Sequence, residues 1–198
     1  MTGAMATERL TKRYVAALGV FSLLALLFGT LLTVELDRRE RDARVINVAG
    51  RQRMLSQKLC KAAWAASSAV EDARLLDNLD ELGYTAAEWE SAHAGLRRGD
   101  PARGLPGNNS PEVERLFREL EPDHRAMLGA ARRLVAAGRR VPPDRREMTR
   151  AVGTLMSHEG AFLRTMDTIV GRYDREARTS LARIQQSEWA VSISFLIV

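Results

Sequence analysis

The sequence holds one cysteine, Cys60, so no intrachain disulfide and no cysteine-based zinc site can form, and a buried thiol is the expected reading. Histidine is scarce too. His158, beside Glu159, lacks a second histidine at metal-binding spacing, and His93 and His124 stand isolated in the chain. All three read as surface or interface residues, and no metal site is expected. No nucleophile–base pair, phosphate-binding loop or paired catalytic carboxylate stands out, so neither catalysis nor a cofactor is expected. The strand signature of alternating apolar residues between turn clusters is missing, which leaves an all-α fold. A net charge of +5 would suit nucleic acid in a cytoplasmic protein. Here the basic residues alternate with acids, as on solvated helix faces. Three tryptophans and no aromatic–basic cluster offer little for base stacking, so nucleic acid is not an expected partner.

What the sequence does have is apolar residues in dense blocks at its two ends and an arginine- and alanine-rich middle. Residues 14–34 carry no charge and are long enough to cross a hydrocarbon core of about 30 Å, which needs roughly 20 helical residues. A signal peptide would have a shorter apolar region and a small-residue cleavage site, and none follows Leu32 before the charged run of residues 35–42. Before the span stand Arg9, Lys12 and Arg13 against Glu8 alone, whereas both signs mix after it. The positive-inside rule puts residues 1–13 in the cytoplasm and residues 35–188 outside. Residues 189–198 are uncharged again and open on Trp189, an interfacial type of residue, and are read as the start of a second span. Lipid is therefore an expected partner.

From Leu36 the chain shows no proline or turn cluster until about Asp80, which predicts one helix leading out of the membrane. Val45, Val48, Gln52, Leu55, Leu59, Ala62, Ala66 and Ala69 form its heptad seam. A second helix is predicted from Leu75 to Leu96, with Leu75, Leu79, Leu82, Ala86 and Trp89 on one face. Residues 99–110, GDPARGLPGNNS, must form a loop, after which Ser110 caps and Pro111 starts a third helix reaching Gly138. Pro122 is expected to kink or break that helix and Gly138 to cap it. Asp144 and Glu147 then form a capping pair for a fourth helix. Its core positions are Val152, Leu155, Glu159, Phe162, Met166, Ile169 and Tyr173, then residues 181–184. The fold class is an antiparallel four-helix bundle flanked by transmembrane helices.

The stretch at residues 46–59, INVAGRQRMLSQKL, is the centre of the functional reading. Ile46, Gly50, Arg53 and Gln57 share a face at three- and four-residue steps, with Asn47 and Met54 beside it. Gly50 costs roughly 1 kcal/mol of helix propensity against alanine, which predicts close approach of a second helix. If that helix is its own twofold mate, two Arg53 side chains face each other and an anion is expected between them, since the guanidinium fork suits planar oxyanions and carboxylates. The plainer alternative pairs Arg53 with Glu159 or Asp167 of the fourth helix.

The motif N-V-A-G-x-x-R-M-x-S with Gln57, Lys58 and Leu59, the GLPG of residues 104–107, and E-G-x-F-L-x-x-M-D-x-I-V of residues 159–170 carry a family likeness. Together they resemble the N-terminal sensor domain of type IV pili methyl-accepting chemotaxis transducers, the PilJ type, and the related P-box of nitrate/nitrite sensor histidine kinases. The resemblance implies a dimeric, periplasmic four-helix sensor in the bacterial inner membrane, feeding a chemotaxis, kinase or cyclic-dinucleotide output. It places the anion on Arg53, and the reading of the stretch itself adds Gly50, Asn47, Arg51 and Gln57 to the candidate site. The chain departs from the nitrate pattern at Arg51 and Gln52, where a small and an apolar residue are usual, and at Gln57, where a tyrosine is usual. Arg51 either favours a larger or more highly charged anion than nitrate or is simply solvated. Two readings follow: a homodimeric input module for a small nitrate-like or carboxylate anion, and a membrane-anchored module that binds another envelope protein without a small ligand.

Overall fold

The computed structural model describes the backbone of residues 2–196 and the side chains of residues 12–179. Its elements are four long helices, α1 (Thr2–Ser68), α2 (Asp72–Arg98), α3 (Pro111–Gly138) and α4 (Arg145–Leu196), and a 3-10 turn at Pro101–Arg103. No strand occurs among the described residues, where pairing is limited to one antiparallel bridge between Asp100 and Leu105. The chain divides into two compact units, residues 1–40 and 41–198.

In the first unit the apolar side chains stay uncovered, with Tyr14, Phe21, Leu26 and Phe28 all well exposed. Among the described residues α1 is the one helix long and apolar enough to cross a membrane. The side chains of residues 181–184 and 189–198, assigned above to the core and to a second span, lie outside the described residues.

The second unit is an antiparallel four-helix bundle whose ring order can be followed through its ion pairs. Residue numbers rise on one helix as they fall on the next. α1 meets α2 through Arg51–Glu88 and Lys58–Glu81, and α2 meets α3 through Arg97–Glu121, Arg132–Glu90 and Arg139–Asp80. α3 meets α4 through Arg172–Glu112 and a hydrogen bond between His158 and Asp123, and Arg53–Asp167 closes the ring from α1 to α4. These pairs set register more than stability, since exposed pairs contribute about 0.2–1 kcal/mol each. The core supplies the driving force. Trp89, Phe117 and Phe162 are fully buried with Leu55, Leu59, Leu75, Leu79, Leu82, Leu120 and Leu134, and each such side chain gains about 1.5–3 kcal/mol on burial. The heptad seam of α1 faces this core: Gln52, Leu55, Leu59, Ala62 and Ala66 are buried, and Val45, Val48 and Ala69 pack against its edge.

Four local expectations change. α1 stops at Ser68, well short of Asp80. Ala62, Ala66 and Leu75 are all buried, so the chain must reverse between them. It does so through Ala69–Ala66, an N–H···O bond of 3.3 Å, and an extended Glu71 that makes no side-chain cap. The break allowed for at Pro122 does not occur: α3 continues through it, and Pro122 is exposed like Arg118, the residue whose carbonyl loses its donor, so the missing bond lies on the solvent side. Gly138 is the last helical residue and the cap is Arg139 in right-handed geometry, so Gly138 serves packing: a Cβ there would come 2.7 Å from Leu79 Cδ1. Of the expected capping pair, the Glu147 N–H donates to Asp144 Oδ1 at 3.0 Å, while Glu147 spends its carboxylate on Arg150 and Arg133. Ser110 caps α3 as expected, accepting from the Val113 N–H.

The loop of residues 99–110 is well fastened. Asp100 and Leu105 exchange two backbone bonds of 2.9 Å. Asn109 donates to the Leu96 carbonyl and to Glu114 and accepts from the Tyr173 hydroxyl at 2.6 Å, while Ser110 donates to Glu176. Gly104 has φ +65° and lies against the Arg44 side chain, where a Cβ would come 2.9 Å from Nη1. Gly107 has φ +68°, and a Cβ there would fall 2.1 Å from the Gly99 nitrogen, so only glycine fits.

Candidate functional site

On α1 the seam residues Gln52 and Leu55 turn inward, which rotates Gly50, Arg53, Met54 and Gln57 to the rim facing α4. There they line an open groove of about 520 Å³ whose other wall is Leu163, Arg164 and Asp167. Arg53 donates through Nη1 to Asp167 Oδ1, both side chains remaining substantially exposed. Of the two carboxylates open to Arg53 in the sequence, the structure selects Asp167. Glu159 lies instead beside Cys60, whose thiol is pushed up to about 12 by burial and by that carboxylate, so it is inert at neutral pH. Buried Ser56 fixes the local backbone, its hydroxyl donating to the Arg53 carbonyl at 2.8 Å.

The sequence-derived site residues thus divide. Gly50, Arg53 and Gln57 meet in the groove. Arg51 is directed to α2, where it pairs with Glu88 at 2.5 Å, and Asn47 is exposed and does not line the groove. The close neighbour expected at Gly50 is not supplied by this chain, since a Cβ there would meet nothing within 4 Å. Arg53 is not left without a counter-charge either, because Asp167 provides one. With Arg53 and Arg164 against one carboxylate, the groove carries a surplus of positive charge that an anion can neutralise.

A second constellation was missed in the sequence. His93 and His124 are neither isolated nor on the surface: both are buried, with rings stacked at 3.8 Å and 14°. His124 leans on Trp89 at 4.3 Å, and His93 meets Phe117 edge-on. Glu121 completes the group, 3.3 Å from His93 Nε2, and its carboxylate also receives Arg97 at 2.5 Å and Arg125 at 2.8 Å. Burial lowers both histidines, His124 to about 3 with help from its neighbour His93. Burial alone would raise Glu121, but bonds from Arg125 and His93 and the charge of Arg97 outweigh it and hold the carboxyl below its usual range. Both rings are therefore neutral, and Glu121 ionised, at neutral pH. The signal available in the sequence was the three-residue step from Glu121 to His124, which puts both on one face of α3.

The family model for the type IV pili methyl-accepting chemotaxis transducer N-terminal region matches residues 35–146, more than half of the chain. The match takes in the 46–59 stretch and the 99–110 loop and ends before the α4 wall of the groove. No curated protein and no solved structure matches the chain.

Proposed function

Because the chain belongs to the family of type IV pili methyl-accepting chemotaxis transducer N-terminal domains, we propose that it is the ligand-sensing input module of a membrane-bound bacterial receptor, facing the periplasm and reading a small anion in the α1–α4 groove. The observation that supports this most is convergence: Gly50, Arg53 and Gln57 share one groove with Arg164 and Asp167.

The chemistry of the reading is an exchange of partners. With no anion bound, Asp167 holds Arg53 and so ties α4 to α1. A planar oxyanion or carboxylate offers the guanidinium a bidentate partner, with Arg164 as a second cation, and so competes with Asp167. Binding then shifts α1 against α4, the two helices assigned to the membrane. The shift is limited by the ligand's differential affinity for the two states: a 100-fold preference corresponds to about 2.7 kcal/mol, enough to bias a balanced switch. Gly50 fits this scheme as the point where a second copy approaches α1, since its chain leaves the space above it open. The module works as a homodimer.

Calorimetric titration of the full chain in detergent with nitrate, sulfate and small carboxylates tests the proposal. At least one of these anions should bind, with affinity lost in Arg53→Ala and tightened in Asp167→Asn. Anion binding that survives Arg53→Ala at full strength would remove the groove from the reading.

A further inference from the structure

We infer that His93, Glu121 and His124 form a site for one divalent transition-metal ion of the imidazole-preferring class, such as Zn²⁺, bridging α2 and α3 and independent of the anion groove. One donor atom from each residue lies within 4.8 Å of the others, and all three side chains line a single cavity of about 620 Å³ between these helices. Two histidines and one carboxylate make a three-donor set that leaves coordination positions for water or a ligand from the cavity, the pattern of an open rather than a closed site. The spacing suits the purpose, since Glu and His three residues apart on α3 project to one side and His93 comes from the facing helix.

Buried nitrogens argue in the same direction. Each histidine has a ring nitrogen that is sealed from solvent and has no hydrogen-bond partner, Nδ1 of His93 and Nε2 of His124, and both residues are only 4% exposed. Placing two imidazoles face to face in a core with unused polar atoms is unfavourable unless something uses them. A metal ion can use the one on His124, because neutral imidazole is its ligand; on His93 the nitrogen beside Glu121 is Nε2, so ligation there leaves Nδ1 as the N–H. Tetrahedral donors at a radius of about 2.1 Å stand roughly 3.4 Å apart, a separation His93 Nε2 and Glu121 already have at 3.3 Å, while bringing in the His124 donor requires its ring to slide out of the stack by χ rotation. Arg97 and Arg125 already bond the Glu121 oxygens and can stay as outer-layer donors, since each carboxylate oxygen has two lone pairs.

The test uses the full chain in detergent with a tag free of histidine, stripped with chelator and titrated with Zn²⁺ and with Co²⁺ as a spectroscopic reporter. One ion per chain is expected, with a Co²⁺ ligand-field spectrum free of thiolate charge transfer. His93→Phe and His124→Phe keep an aromatic ring in the stack and should each weaken binding at least 100-fold. Glu121→Gln should weaken it at least 10-fold, and Cys60→Ser should leave it unchanged. Circular dichroism confirms that the variants remain helical. Failure of the wild-type chain to take up either ion, or uptake unaffected in both histidine variants, overturns the site. Because Arg53→Ala leaves these ligands untouched, metal uptake should persist in that variant whether or not the anion reading holds.

Discussion

Replacing Gln52 with methionine should stabilise the bundle. Gln52 is 0% exposed, and neither its amide nitrogen nor its amide oxygen has a partner. Leaving such a group unpaired costs about 1–3 kcal/mol by mutational measures. Methionine is likewise unbranched and of similar length, so it fills the same space, and volume-conserving exchanges of this kind cost under about 1.5 kcal/mol in strain. The balance favours methionine by about 1–2 kcal/mol. For a chain of this size each kcal/mol moves the melting temperature by about 2–4 °C, so a rise of about 2–8 °C is expected in thermal circular dichroism of the full chain in detergent. Gln52→Ala is the companion variant and should melt lower than wild type, because it leaves a cavity. If Gln52→Met melts at or below the wild-type temperature, the amide is satisfied in a way the geometry does not show and the reasoning fails.

Arg53→Ala should change bundle stability by less than about 1 kcal/mol, because the pair with Asp167 is 41% and 67% exposed at its two side chains; chemical denaturation measures this, and a larger loss would make Arg53 structural. Gly107→Ala should destabilise by more than about 1 kcal/mol, since φ is +68° and the added carbon would meet the Gly99 nitrogen; a variant melting like wild type would show that the loop can rearrange freely. Cys60 should react with iodoacetamide at pH 8 more than about 1000-fold slower in the native chain than in denaturant, because burial and Glu159 push the thiol up to about 12. Comparable rates in both states would place the thiol in contact with solvent.

Much of the bundle was legible because its signals are local. The seam from Val45 to Ala69 repeats at heptad spacing, and Ser110–Pro111 and Asp144 announce their helices by cap chemistry that any sequence would show. The turn after Ser68 was not legible, since it contains no glycine or proline and Glu71 makes no cap bond; burial of Leu75 against the alanines decides it. Gly138 looked like a helix stop because glycine is common there, yet its missing Cβ serves the Leu79 contact, which lies 59 residues away in sequence. The groove follows the same rule. Its α1 face could be read from spacing, while the choice of Asp167 over Glu159 depended on the rotation of α4. His93 and His124 looked unrelated because the fold, and not the sequence interval, stacks them.

The fastening of the 99–110 segment has a consequence for how the molecule breathes. Surface loops normally open on their own, and their amides exchange with solvent at low free-energy cost. Here the Asn109 side chain bonds partners on α2, α3 and α4, with its Tyr173 partner 64 residues away, and the Asp100 and Leu105 amides are held by each other's carbonyls around a buried Leu105. The Asn109 bonds to Leu96 and Tyr173 join separate helices and form only once these have docked, and they hold the local Asp100–Leu105 pair against the core. The Asp100 and Leu105 amides should therefore exchange as members of the cooperative core, reporting on global opening, whereas the Ala69–Glu71 turn should exchange locally and fast.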